Sequence, residues 1–154
     1  MILEEMKIEE AIQQKRPFRN HYQMAMVNLI YTHNWVTDQL RQHLKPYGIT
    51  MKQYNVLRIL QGAGQPITTS TIRERLLDKM SDASRMVDRM HQKGLVIRNT
   101  CSGDKRLVDV VLSKEGEQVM DQLAQFSTAT ERIVEELTEE EAEQLSTLLD
   151  KLRK

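Results

Sequence analysis

A chain of 154 residues holds one ordinary domain with helical extensions and excludes a two-lobed enzyme. Hydrophobic residues at 40% and charged residues at 29% exclude a disordered tail, while six glycines and three prolines disfavour a many-stranded sandwich or barrel and favour long helices. The 22 Lys and Arg balance the 22 Asp and Glu, a net charge of zero that argues against a polyanionic partner only until the charges are placed along the chain.

In chain order, Met6, Ile8, Ala11 and Ile12 predict a short amphipathic turn or two that Pro17 interrupts. Met26, Leu29, Ile30, His33, Val36, Leu40 and Leu44 recur at spacings of three and four, a helical stripe ending before Pro46 and Gly48. Thr50 with Gln53 forms a capping box for the next helix, whose inner face is Tyr54, Leu57 and Leu60 and which the run from Gly62 to Pro66 stops. Thr68 begins a third short helix through about Leu77, with Ile72 and Leu76 as its apolar pair. Ser81 is expected to cap a fourth, in which Met86, Val87 and Met90 are core, and Gly94 supplies the left-handed residue that ends it. The β-prone runs 95–97 and 107–112 flank the turn formers 99–104 and predict a hairpin with a long tip. Ser113 caps a long helical stripe through Val119, Leu123, Phe126, Ile133, Val134 and Leu137, and Thr138 with Glu141 opens a last helix carrying Leu145, Leu148, Leu149 and Leu152.

Charge is segregated along this order. Residues 73–106 carry nine Lys or Arg against five acids, a local excess of four, whereas residues 113–154 carry five bases against eleven acids. An anionic partner is therefore expected at the middle segment, and the acidic end is expected to stay away from it. A helix, a turn, a second helix and a basic-tipped hairpin form a winged helix-turn-helix, in which the second helix enters the DNA major groove. Ser81, Ser84 and Arg85 fall in the first turns of that helix and Arg89 one turn on, where short polar groups and guanidiniums approach phosphates and base edges. Arg98, Lys105 and Arg106 flank the hairpin tip, placed to lie along the backbone or, for Arg106, to enter the minor groove.

The run from Ser84-Arg85-Met86-Val87-Asp88-Arg89-Met90 through Lys93-Gly94-Leu95-Val96, followed by Asp104-Lys105-Arg106-Leu107-Val108-Asp109-Val110-Val111-Leu112-Ser113, resembles the multiple antibiotic resistance regulator (MarR) family of winged-helix transcription regulators. The second stretch matches the wing signature of that family, an aspartate and an arginine two apart followed by valine, leucine and threonine or serine. The resemblance extends over nearly the whole chain. It implies that Asp104 orders the wing and Arg106 touches DNA. It also implies a homodimer built from both terminal regions and a small aromatic or phenolic ligand as a candidate partner. The chain departs from the family in lacking a wing proline, with Thr100, Cys101 and Ser102 there, and in placing serine at Ser113.

The expected fold class is mainly α with a small β-hairpin wing. Residues 1–45 form an N-terminal dimerisation segment, 46–112 the winged module and 113–154 the C-terminal dimerisation helices. Apolar stripes outside the module exceed what a module of its size covers, so a two-fold partner is expected, with double-stranded DNA bound at a pseudo-palindromic operator. The rival reading is a winged helix used as a protein-interaction module without DNA affinity. No phosphate loop, nucleophile elbow or acid-base pair of recognisable spacing occurs, so no enzyme and no cofactor are expected. His21, His33, His43 and His91 contain no close helical pair and imply no metal site, and the single Cys101 is read as inert rather than as a redox switch. His33, Trp35 and Tyr54 are candidates to line a ligand crevice, but packing accounts for them equally and no ligand site is assigned. Acidic residues near the start and the lack of eighteen uninterrupted apolar residues place the chain in the cytoplasm with no membrane partner.

Overall fold

The computed structural model describes residues 6–100 and 108–154. The chain divides into two compact units, Met1–Leu40 and Arg41–Lys154. In the first, the helical turn α1 (Ile8–Ala11) is followed by Gln13, whose φ of 52° departs from the helix well ahead of Pro17. The Asn20 side chain then accepts the Gln23 amide at 2.9 Å, and the long helix α2 (His21–Leu44) follows. Of its predicted apolar stripe, Met26, Leu29 and Ile30 are exposed in the single chain, Val36 and Leu40 are half-buried and Leu44 is buried; Trp35, off the stripe, is exposed too.

In the second unit, α2 closes on the buried Leu44, and a 3-10 turn, Lys45–Tyr47, passes to Gly48 with φ 65°. α3 (Met51–Ala63) starts at the predicted capping box, with the Gln53 amide donating to Thr50 Oγ1 at 3.1 Å and the Thr50 amide to Gln53 Oε1 at 3.1 Å. Val56, Leu57 and Leu60 form its buried face, whereas Tyr54 is half-buried. Helices α4 (Thr69–Arg75) and α5 (Ala83–Gln92) follow, and Gly94, with φ 75°, turns the chain out of α5.

Strands β2 (Val96–Thr100) and β3 (Val108–Leu112) pair antiparallel, with Val96 opposite Leu112 and Thr100 opposite Val108. Asn99 and Thr100, read from sequence as part of the turn, thus belong to the ladder. A short strand β1 (Ile67–Thr68) adds to the other edge of β3 and completes a three-stranded sheet in the order β1-β3-β2. The sequence reading had two strands only. Ile72, Leu76, Val87, Met90, Val96 and Val110 bury together as the core between this sheet and the helices.

Ser113 caps α6 (Lys114–Gln122): its hydroxyl accepts the Gly116 amide at 2.9 Å and donates to the Gly94 carbonyl. Gly116 lies so close to the strand that an added Cβ would stand 2.1 Å from the Leu95 carbonyl oxygen. The predicted long stripe from Ser113 is broken, because α6 ends at Leu123 and a separate α7 (Phe126–Glu131) begins, followed by a 3-10 turn, Arg132–Val134. Past the break Phe126 is buried edge-on against Tyr54, with ring centroids 4.6 Å apart, and against His43 at 6.4 Å. The final helix α8 (Glu139–Leu152) opens with the predicted Thr138–Glu141 box and buries no residue, leaving Leu145, Leu148 and Leu152 exposed.

Candidate nucleic-acid interface

The geometry of the α4–α5 pair follows from short-range chemistry. Thr68 Oγ1 accepts the Thr71 amide at 3.1 Å to start α4, and Leu76 takes an extended conformation, φ −61° and ψ 139°, that stops it. Residues 76–82 then form the turn. The Leu77 amide donates to Asn55 Oδ1 at 3.0 Å, and the Asp78 carboxylate accepts Lys52 Nζ at 2.7 Å, Ser81 Oγ at 2.9 Å and the Met80 amide at 3.0 Å. These donors, with the Lys52 bond the strongest contributor, hold the Asp78 carboxyl down at about 2.

Asp82 is the N-cap of α5, with its carboxylate accepting the Arg85 amide at 3.0 Å. The sequence reading gave that place to Ser81, one residue early, but Asp78 has claimed the serine hydroxyl. From Asp82 onward the helix is two-faced. Ala83, Met86, Val87 and Met90 are buried, whereas Ser84, Arg85, Asp88 and Arg89 are exposed. At about 100° per residue those four exposed positions span one side of the cylinder, so the predicted Ser84, Arg85 and Arg89 do share a solvent face.

Two arginines on this surface are ion-paired. Arg85 Nε lies 3.3 Å from the Asp82 carboxylate with its side chain 80% exposed, and Arg98, opposite Val110 on β2, reaches across to Asp88 of α5. The second pair ties the hairpin to the helix and brings Arg98 onto the face that carries Arg89. Cys101, Asp104, Lys105 and Arg106 lie outside the described residues.

Beside the start of α5 is an open polar cleft of about 380 Å³, lined by Thr69, Ser70 and Arg73 of α4 and by Ser81, Asp82 and Ser84. Sequence reasoning missed its α4 wall. Arg73 entered the charge tally, but only the approach of the two helices places it next to Ser84. At the far end of α5, Lys93 Nζ donates to the Gly48 carbonyl at 2.9 Å and to Gln53 Oε1 at 3.3 Å.

A second cavity, of about 370 Å³, is lined by His43, Tyr47, Leu123, Phe126, Ala129 and Arg132. Of the candidate ligand residues, Tyr54 packs on Phe126 and burial raises its hydroxyl above the usual value, with the Arg58 charge opposing; His33 and Trp35 are exposed on α2. Among the described residues no three His, Cys, Asp or Glu side chains converge as a metal site, and no helix is long and apolar enough to cross a membrane.

Comparison with known proteins agrees with this layout. A MarR family model matches residues 47–107. The HTH-type transcriptional repressor MdtR of Bacillus subtilis is 31% identical over 118 residues, covering 76% of each chain. The multiple antibiotic resistance protein MarR of Salmonella typhimurium is 32% identical over 127 residues, covering 80% of this chain and 88% of that one. Among solved structures, a cysteine-to-serine mutant of MarR from E. coli, complexed with operator DNA, superposes with a TM-score of 0.72 at 27% identity, over 89% of this chain and 99% of that one.

Proposed function

Because the chain belongs to the MarR family of transcription regulators, we propose that it is a sequence-specific DNA-binding repressor that acts as a homodimer on a pseudo-palindromic operator. The carrying observation is the two-faced α5, which buries Met86, Val87 and Met90 and offers Ser84, Arg85 and Arg89 together on its open side. An exposed basic helix face of this width fits the major groove. Ser84, Arg85 and Arg89 read base edges and phosphates there, while Arg98, Lys105 and Arg106 follow the backbone, with Arg106 in the minor groove and Asp104 ordering the wing. Ser81 contributes by shaping the turn ahead of α5.

Residues 46–112 form the reading module, and 1–45 and 113–154 the dimer. The exposed stripes of α2 and α8 favour this, because aliphatic rows on two helices of so small a chain need cover. Two-fold symmetry then spaces the reading helices for half-sites about 34 Å apart. The protein has no catalytic activity of its own and works in the cytoplasm. A small aromatic or phenolic ligand releases the DNA by favouring one spacing of the two reading lobes; the cavity beside Phe126 has the volume for it.

The experiment is selection of duplexes from a randomised pool by the purified protein, followed by titration of the selected site across salt concentrations. The expected result is a palindromic consensus bound at least a thousandfold more tightly than random duplex, at about the low end for specific regulators. No enrichment at any salt overturns the reading and leaves a protein-interaction module in its place.

A further inference from the structure

We propose that the first turns of α3, through Lys52, Gln53 and Asn55, are the bench on which the reading helix is set, and that Asp78 is a positioning residue for DNA recognition though it touches no DNA. This rests on the regulator reading above.

The turn 76–82 has no apolar anchor of its own between Leu76 and Ala83. Leu77 is 81% exposed and Met80 94% exposed, so no buried side chain fixes its path. Polar contacts do so instead. Asn55 takes the Leu77 amide, Lys52 takes the Asp78 carboxylate, and that carboxylate gathers the Met80 amide and the Ser81 hydroxyl, closing the turn directly ahead of the cap Asp82. At the opposite end of α5, Lys93 is bonded to Gly48 and Gln53. Both ends of the helix are therefore tied to one short stretch of chain around the start of α3. That stretch is itself immobilised by the capping box at Thr50 and by the buried Val56 and Leu57.

A helix is stiff along its length, so a displacement of its first turn moves Ser84 and Arg85 as a unit. Base reading is sensitive to such a displacement and phosphate attraction is not. Directional, bidentate bonds to base edges fail when a donor moves by a fraction of its length, whereas long-range charge attraction tolerates the shift.

The test uses full-length Asp78→Ala and Asn55→Ala with two duplexes, the site selected by the wild-type protein and a scrambled sequence of the same length. Each variant is expected to bind the selected duplex about tenfold more weakly, the scale of one intramolecular hydrogen bond. Affinity for the scrambled duplex is unchanged in Asn55→Ala and is unchanged or raised in Asp78→Ala, which loses a carboxylate, and the salt slope on both duplexes moves by less than a whole unit. Asp78→Asn retains an acceptor for Met80 and Ser81 and recovers part of the loss, which also guards against a misfolded alanine variant. Equal loss on both duplexes, no loss on either, or a salt slope changed by a whole unit overturns the proposal. If the wild-type protein does not distinguish the two duplexes, it is the regulator reading that fails.

Discussion

Asp82 separates helix stability from DNA affinity. It caps α5 through the Arg85 amide at 3.0 Å and pairs with Arg85 Nε at 3.3 Å, on a surface where the two side chains are 80% and 56% exposed. Replacing it by alanine removes the cap, which costs about 1 kcal/mol, whereas asparagine caps as well as aspartate and keeps stability within about 0.5 kcal/mol. The exposed helix ion pair, lost in both variants, contributes no more than about 0.5 kcal/mol. For a chain of this length the alanine variant should melt roughly 2–4 °C lower and the asparagine variant close to wild type. Toward DNA the two variants should behave alike. Each removes a carboxylate from the face proposed to meet the phosphates and each releases Arg85, and a repulsion at 4–6 Å in water is worth about 1 kcal/mol, a roughly fivefold gain on random duplex. If Arg85 takes up a phosphate, the salt slope steepens by about 0.9. Thermal melts and fluorescence-anisotropy titrations on a random duplex measure both quantities. Random-duplex affinity that falls in step with stability, or an Asp82→Asn protein as unstable as Asp82→Ala, would refute the reasoning.

Gly116→Ala sets a modest gain in helix propensity, about 1 kcal/mol, against a Cβ placed 2.1 Å from the backbone oxygen of Leu95; the strain, about 1–3 kcal/mol, should win and lower the melting temperature, and a raised one would contradict the packing. The Asp78 carboxyl sits at about 2 in the folded chain against an ordinary 3.8, so its stabilising contribution is complete above the ordinary value and disappears as pH falls toward about 2. Denaturant midpoints for wild type and Asp78→Asn should accordingly differ most above pH 4 and converge near pH 2; a constant gap throughout would remove the ion pair from the account. Arg106→Ala should flatten the salt slope by about 0.9 if the side chain meets a phosphate, or relax A·T preference if it enters the minor groove. If both stay unchanged in binding titrations, the wing contact is absent.

The parts of the fold legible in the sequence are those decided within a few residues. Thr50, Ser113 and Thr138 each cap a helix from their own side chain, and Gly94 turns the chain because its φ of 75° suits glycine. Contacts with other partners, near and far along the chain, decided the rest. Ser81 and Asp82 are both good caps, and the choice falls on Asp82 because Asp78 holds the serine hydroxyl. Asn99 and Thr100 have turn propensities, yet β3 places Asp109 and Val108 opposite them and the ladder prevails. β1 is only two residues long, too short for any alternation to show, and exists by pairing with Val110 and Asp109. No glycine or proline stands between Leu123 and Phe126, so nothing local announces the break there, after which Phe126 packs on the Tyr54 ring. For the site, the helical period put Ser84, Arg85 and Arg89 on one face, but neither the cleft wall at Arg73 nor the bond from Arg98 to Asp88 could be read without the fold.

Those pairings give meaning to the charge balance of the chain. Asp82 and Asp88 lie among the arginines proposed to meet DNA, and each holds one of them, so two guanidiniums are partly neutralised before any nucleic acid arrives. Attraction to phosphate grows with every free cation and is blind to sequence, so the two carboxylates weaken binding to random DNA more than they weaken base reading. They also hold Arg85 and Arg98 in defined directions, which lowers the ordering cost when a matching site presents acceptors in the right places. At a mismatched site the arginines keep their carboxylates and the DNA gains little. A net charge of zero is thus compatible with DNA binding, provided that discrimination is set by the contrast between those two outcomes and not by the strength of the field.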